Sequence, residues 1–408
     1  MKQKQSFFRS LGKDKLYIVG NVFYAYLALG FALIMLGSIL PTLKSEYELS
    51  YQIGGMLLSV QSVGYVIAGL GAGFLPLYLG LKNSFVALTS GIAIGMGMLL
   101  VTGNPVWLLI AMALIGVSKG AITNYNNQIM SELTQGNAGP MNILHAFFAI
   151  GACIAPLAVL LCAKVDASGW RLAVAIAVIA GVLGLLAMSR MKLDNTRTGA
   201  DAGRSAVSYG FFKERIFWVT ALIVFFYQCI EASLMGWLTT FFVDSHVMTD
   251  ASAQLVTSAL WIALLIGRFG CSGLAVRFKP YQMILVMAAG QLGFLYLLVR
   301  SHTLVVMMIA TVGLGLSMSG MYGTSVSNAG DLFARYPVCM GFFVMLTSMG
   351  AVVAPSAVGL LASVAGMRMG LAVLLVAAAL LVLVSLYNAA AIRGFTAKKH
   401  AVKGRQKA

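Results

Sequence analysis

The chain has 408 residues, of which 60% are hydrophobic and 10% charged, with 44 glycines and a formal net charge of +16. This composition excludes a water-soluble globule, whose exposed apolar area would be prohibitive, and indicates a chain that lives in a bilayer. The excess of basic residues does not require nucleic acid as a partner, because their placement along the chain has a membrane explanation.

Apolar segments long enough to cross the hydrocarbon core as helix, about 20 residues each, are predicted at 17–42, 51–78, 84–102, 105–131, 141–163, 169–190, 215–243, 250–276, 281–299, 303–330, 337–364 and 368–392. A lipid-exposed backbone must satisfy its own hydrogen bonds and no segment alternates like a barrel strand, so these are helices. The expected fold class is all-α: 12 transmembrane helices in two pseudo-symmetric six-helix bundles. The first follows a basic tail (Lys2, Lys4, Arg9, Lys13, Lys15). Its apolar run is too long for a signal peptide and lacks a small-residue cleavage site, so it is expected to stay as a membrane helix. On helix 2, Gln61 and Tyr65 are plausible lining residues. Gly69-x-Gly71-x-Gly73, and Gly91-x-x-x-Gly95 on helix 3, read as steps that let helices approach closely.

Helix 4 carries the least expected stretch, "GVSKGAITNYNNQIMSEL" from Gly116 to Leu133. At 100° per residue, Lys119, Thr123, Asn126 and Asn127 cluster with Gly116, opposite an apolar stripe of Ala121, Ile122, Tyr125 and Ile129 that faces lipid or packs. A cation near mid-helix costs roughly 2.5–3.5 kcal/mol on insertion scales, so Lys119 must be paired or hydrated. The amides lie late in the helix, where marking the membrane interface is the competing explanation to contacting a solute. On helix 5, His145 is a candidate proton relay or a simple hydrogen-bonding partner between helices.

One carboxylate lies deep in an apolar segment, Glu231 on helix 7, with Tyr227, Gln228, Met235 and Thr239 on its face. Trp237 and Trp261 are further lining candidates, although interfacial anchoring explains many membrane tryptophans. Helix 10 has a milder polar side formed by Tyr322, Ser325 and Asn328. The five cysteines, Cys153, Cys162, Cys229, Cys271 and Cys339, show no paired spacing and read as apolar packers. No Walker loop, HExxH or GxSxG occurs, so an ATPase, protease or esterase has no machinery here and no cofactor is expected.

The second half repeats the first at an offset of 199: Gly37 meets Gly236, Gly71 meets Gly270, Gly116 meets Gly315, Ser118 meets Ser317, Gly151 meets Gly350, and Ala155-Pro156 meets Ala354-Pro355. At the Lys119 position the second half has Met318. The organisation expected is an N-terminal bundle (1–190), a cytoplasmic linker (191–214), a C-terminal bundle (215–393) and a basic tail (394–408). With both termini inside, 21 Lys/Arg fall inside: five in the N-terminal tail, Lys82, six from Arg190 to Arg215, Arg277, Lys279, Arg335 and six from Arg393 to Lys407. Five fall outside, namely Lys44, Lys164, Arg171, Arg300 and Arg368. That bias orients the chain by the positive-inside rule, with both termini cytoplasmic in a cell inner membrane.

Two six-helix halves joined by a basic loop resemble the major facilitator superfamily (MFS) of secondary transporters. The loop "GFLPLYLGLK" keeps Gly73, Leu75, Gly80 and Lys82 of that family's helix 2–3 motif but has Leu77 and Tyr78 where its Asp and Arg belong. "GRFGCSGLAVRFK", with Gly267, Arg268, Gly273 and Arg277, is closer to the second-half counterpart. "NILHAFFAIGACIAP" and "YQCIEASLMGWLTTFF" are similar to helix 5 and helix 7 signatures of the fucose/galactose/hexose symporter branch and its sodium-glucose-transporter-like relatives, although helix 1 lacks an acid and helix 4 carries Lys119 instead of a carboxylate. The resemblance implies a substrate site between the halves, where Lys119 and Glu231 would meet as a breakable pair, a fixed structural pair, or a proton carrier with its modulator. It further implies inner gates at Lys82, Arg268 and Arg277. The expected activity is alternating-access transport of a small polar solute, a sugar or organic acid, coupled to H+ or Na+, by a monomer. The alternatives are a proton-coupled exporter of amphipathic compounds, favoured by 23 methionines, and a non-transporting sensor, which the short tails argue against.

Overall fold

The computed structural model describes residues 12–134, 138–166, 168–192, 208–336 and 339–405, with the side chains of 70, 72–74, 77, 134, 138–142, 334 and 393–405 outside the description. Gly73 and Leu77 of the loop motif, the tail residues Lys2, Lys4 and Arg9, and Arg197 and Arg204 of the linker lie outside it. The chain divides into two compact units, Met1–Ser205 and Ala206–Ala408. The first holds α1 (Lys13–Glu46), α2 (Tyr51–Leu79), α3 (Leu81–Val101), α4 (Pro105–Thr134), α5 (Ala138–Ala163) and α6 (Gly169–Ser189). The second holds α7 (Arg215–Asp244), α8 (Asp250–Leu274), α9 (Pro280–Arg300), α10 (Leu304–Met318), α11 (Met321–Asn328), α12 (Gly330–Arg335), α13 (Cys339–Ala365), α14 (Met367–Ala372) and α15 (Leu374–Arg405). Eleven helical stretches among the described residues are long and apolar enough to cross a membrane. The 29-residue α2 occupies the remaining predicted span.

Two spans predicted as single helices are broken. The one expected at 303–330 stops at Met318 and restarts at Met321, and a further short helix, α12, follows it. The break has identifiable causes. Ser319 Oγ donates to the Leu316 carbonyl, 2.7 Å away, Gly320 contributes no helix-stabilising side chain, and Gln291 of α9 donates to the Ser317 carbonyl at 3.2 Å. The span expected at 368–392 is interrupted at Val373, and its second piece runs on to Arg405.

The repeat seen in the sequence is also a repeat of packing. In the first unit α2 packs on α4, α1 on α5, and α3 on both α4 and α6; in the second α8 packs on α10, α7 on α13, and α9 on both α10 and α15. Glycine permits the crossings. A Cβ on Gly116 would lie 2.0 Å from the Gln61 carbonyl oxygen, and one on Gly315 2.5 Å from that of Leu260, which is Gln61 moved by the same offset. Gly91 faces Ser118 as Gly290 faces Ser317, and Gly95 is pressed against the Ala111 carbonyl. Gly69 and Gly71, expected to be packing steps, have nothing within 4 Å and are not. Ser50 and Thr249, also one offset apart, cap α2 and α8 by accepting from Ile53 N at 3.2 Å and Ser252 N at 3.3 Å.

Charges sit at helix ends. Glu46, at the end of α1, accepts from Trp170 Nε1 at 2.8 Å and pairs with Arg171, which ties α1 to the start of α6. In the second unit Arg368 donates to the carbonyls of Val299 and Ser301, closing the end of α9. A 3-10 turn at Gly210–Lys213 precedes α7, and its Phe211 is fully buried among Phe212, Phe217, Tyr336 and Phe342, with ring centroids 4.3–5.9 Å away. No disulfide joins the five cysteines.

The glycine crossings generate a direct test. Gly116→Ala and Gly315→Ala should each destabilise the purified protein by about 1–3 kcal/mol, the cost of overpacking a tight contact. Gly97→Ala, with open space around it, should leave thermal unfolding in detergent unchanged or slightly raised. Equal effects at all three positions would mean that the crossings are not glycine-dependent.

Candidate functional site

Each unit has its own polar cluster. In the first, the α4 stripe of Ala121, Ile122, Tyr125 and Ile129 is buried, so it packs, with the Tyr125 ring 5.2 Å from Phe85. That burial turns the other side of α4 toward α1, α2 and partial exposure. Lys119 is half-buried there with its ammonium 4.9 Å from the centroid of the Tyr65 ring. A cation over an aromatic face is stabilised by the ring quadrupole, more so where water is scarce. Gln61 lies one turn before Tyr65 on α2, beside Gly116, and its Nε2 is buried with no hydrogen-bond partner. Gln61, Tyr65 and Lys119 therefore come together.

Eight residues further along α4, about 12 Å by helical rise, a second group forms around Tyr26 of α1. The Tyr26 hydroxyl donates to Asn127 Oδ1 at 2.9 Å and lies 3.5 Å from the Thr123 carbonyl. The His145 ring meets Tyr26 edge-on, 5.4 Å between centroids. Asn127, Thr123 and His145 thus belong to one network, anchored by a residue that the sequence reading did not single out. The available signal was elementary: a tyrosine inside an apolar helix must find a partner for its hydroxyl. Asn126 is 0% exposed and donates to the Val22 carbonyl at 3.3 Å, which ties α4 to α1.

In the second unit Tyr227 donates to Glu231 Oε1 at 2.6 Å, the short distance of a charge-assisted bond across one helical turn. Arg268 of α8 and Tyr322 of α11 are within electrostatic reach of the same phenol. Arg268, expected at a gate, is thus within electrostatic reach of the residue that donates to Glu231. Gln228 is half-buried beside them. Thr239, two turns beyond Glu231, shares a 3.0 Å hydroxyl contact with Thr257 of α8.

Several expected lining residues are enclosed. Trp261 and Ser325 are 1% and 0% exposed, and Ser325 donates to Met321 Sδ at 3.9 Å. Trp237 is buried with its indole donating to the Pro355 carbonyl at 3.0 Å, a tie between α7 and α13 rather than a lining contact. Asn328 sits apart, 3.4 Å from Asn388 Oδ1, and lines a cavity of about 280 Å³ with Glu214, Asp331 and Arg335; Arg335 and Glu214 approach to 3.5 Å. Lys82 is half-buried in the first turn of α3, and Arg277 is exposed in the turn after α8. No cluster of three or more metal-type ligands occurs among the described residues.

Residues 22–336 match the family model described as Major Facilitator Superfamily. The chain is 23% identical over 384 residues to human sodium-dependent glucose transporter 1, covering 83% of this chain and 72% of that one. It is also 23% identical over 397 residues to mouse sodium-dependent glucose transporter 1A, covering 83% and 88%. Among solved structures, it is similar to the nucleoside transporter NupG, with a TM-score of 0.73 at 14% identity over 93% of this chain and 99% of that one. A bacterial homologue of the human lysosomal transporter Spinster, inward-facing and occupied, gives 0.74 at 13% identity over 95% and 98%.

The short Tyr227–Glu231 bond predicts energetic coupling. In a double-mutant cycle with Tyr227→Phe and Glu231→Gln, unfolding in detergent should show a coupling of about 1–3 kcal/mol, as for a hydrogen bond to a charged group. A coupling below about 0.5 kcal/mol, the additive range, would show that the bond contributes nothing measurable.

Proposed function

The chain belongs to the major facilitator superfamily, a transporter and not an enzyme, and from that premise we propose that it moves a small polar solute, a sugar or organic acid, by alternating access coupled to an H+ or Na+ gradient. The observation that carries this reading is the treatment of two charges inside apolar helices. Lys119 lies over the Tyr65 ring and Glu231 accepts from Tyr227. Holding a charge in a low-dielectric region is costly, and a tyrosine partner offsets the cost without neutralising the charge. Each group keeps the charge that a solute or a coupling ion would recognise. Lys119, with Gln61 and Tyr65 beside it, and Thr123 and Asn127 further along α4, serve the solute. Glu231, with Tyr227, Gln228 and Arg268, serves the coupling cation or the solute's donor groups. His145 adds a titratable ring beside Tyr26.

The sugar half of the proposal is supported by the sodium-dependent glucose transporters of human and mouse to which the chain is similar. The organic-acid half is supported by Lys119. Lys82 and Arg277, near the ends of α3 and α8, are assigned to gating, and Asn328 to the far end of the solute's path. The distribution of basic residues supports a cell inner membrane with both termini cytoplasmic, and a monomer satisfies the reading.

The test is counterflow in proteoliposomes with hexoses and organic acids, run with and without inward H+ and Na+ gradients. One of these solutes should accumulate, and one gradient should increase its accumulation. Lys119→Met, which installs the residue of the matching second-half position, and Glu231→Gln should each lower the rate about tenfold or more, the equivalent of about 1.4 kcal/mol. Wild-type rates in both variants would remove these residues from the mechanism. Extrusion of a lipophilic cation, with no uptake of either solute class, would favour the exporter instead.

A further inference from the structure

Where α8 and α9 meet the α10–α11 break, acceptor atoms outnumber the protons that serve them. Cys271, three residues before the end of α8, is half-buried, and its thiol donates to Met287 Sδ of α9, 4.0 Å away. Ser319 Oγ lies 3.6 Å from the same thiol sulfur, but its own proton is engaged by the Leu316 carbonyl at 2.7 Å. Cys271 Sγ, Met287 Sδ and Ser319 Oγ therefore share the one thiol proton. One turn beyond Met287, on the same face of α9, Gln291 is fully buried. Its Nε2 is taken by the Ser317 carbonyl, and its Oε1 has no hydrogen-bond partner among the described residues. A buried acceptor in that state points to a positive group or a water supplied from outside the protein. Gly320 contributes room: a Cβ there would lie 2.5 Å from Cys271 Sγ and 3.2 Å from Met287 Sδ.

We infer that Cys271 and Met287 form a two-sulfur site for Cu(I), which takes the place of the thiol proton beside Gly320. Thiolate and thioether are soft ligands, the types that select Cu(I) over the hard cations Mg2+ and Ca2+. Zn2+ is held by three or four ligands, and no group of three His, Cys, Asp or Glu suited to it occurs among the described residues. Two metal–sulfur bonds of about 2.3 Å reach about 4.6 Å end to end. A cation therefore fits between sulfurs 4.0 Å apart, slightly off the line that joins them, without displacement of either helix. On binding, the Cys271 S–H bond breaks, its proton leaves to solvent, a sulfur–copper bond forms, and Met287 donates a thioether lone pair; copper stays Cu(I) throughout. Exchange of one H+ for one Cu+ leaves the charge of the site unchanged, so Arg268, one turn earlier on α8, does not oppose it. The bound ion cross-links α8 to α9 against the turn at Ser319 and Gly320, whatever solute the chain moves.

The test titrates the full-length protein in detergent, without oxygen and with ascorbate present, into the coloured Cu(I)–bicinchoninate complex and reads the loss of colour. The wild type should withdraw copper, and Cys271→Ser should lower the amount withdrawn by one equivalent. Met287→Leu, a swap that nearly conserves volume, should weaken that equivalent about tenfold or more. Cys153→Ser, which removes the other half-buried thiol, should leave it unchanged. X-ray absorption of wild-type protein loaded with one equivalent of Cu(I) depends on no variant, and it should show two sulfur neighbours at about 2.3 Å. Wild-type affinity in Met287→Leu, a loss in Cys153→Ser equal to that in Cys271→Ser, or a single sulfur neighbour would reduce Cys271 to an ordinary thiol and overturn the inference. Wild-type protein that withdraws no copper would overturn it as well.

Discussion

Charge inside a hydrocarbon medium is the constraint on which this structure depends. A lysine and a glutamate in otherwise apolar helices cannot be left to solvent, and each is met by a tyrosine in its own unit. The two tyrosines do so differently. Tyr65 offers Lys119 a ring face, while Tyr227 offers Glu231 a proton at 2.6 Å. A ring face stabilises a cation through its quadrupole, and a phenol stabilises a carboxylate by donating to one of its oxygens. The ties at the helix ends are of another kind: Glu46 is shared between Trp170 and Arg171.

The duplicated architecture supplies the frame for this chemistry. Because a missing Cβ lets α2 approach α4 at Gly116, the Gln61–Tyr65 turn lies against the polar side of α4. The same crossing recurs at Gly315, but there the equivalent of Lys119 is Met318 and the helix breaks immediately after it. One half places a charge at that level and the other a discontinuity, whose freed Ser317 carbonyl is met by Gln291. A pair of half-molecules built alike has diverged at this position.

Much of this was legible in the sequence. The apolar periods, the offset of 199 and the scarcity of internal charge led to the spans, the repeat and the residues Lys119 and Glu231, because each reflects a local energetic rule. The Ser319–Gly320 break was not legible, since serine and glycine are common inside membrane helices and the deciding partner, Gln291, is distant in the chain. Tyr26 was passed over for a related reason: its role is defined by Asn127, 101 positions away. Arg268 was placed by its position at the end of a helix, and only the three-dimensional arrangement brings it within electrostatic reach of Tyr227. Burial was not legible for Trp237 and Trp261 either, which are 0% and 1% exposed, because an aromatic ring suits solute stacking and interior packing alike.

The aromatic knot around Phe211 has a practical consequence for anyone who severs the chain to express its two portions separately. The segment between the units is not interchangeable along its length, because Phe211, near its end, is part of the second unit's interior. A cut made upstream of that point leaves the knot with the portion it seals, whereas a cut just before Arg215 would strip it away and open an oily socket between Phe217, Tyr336 and Phe342.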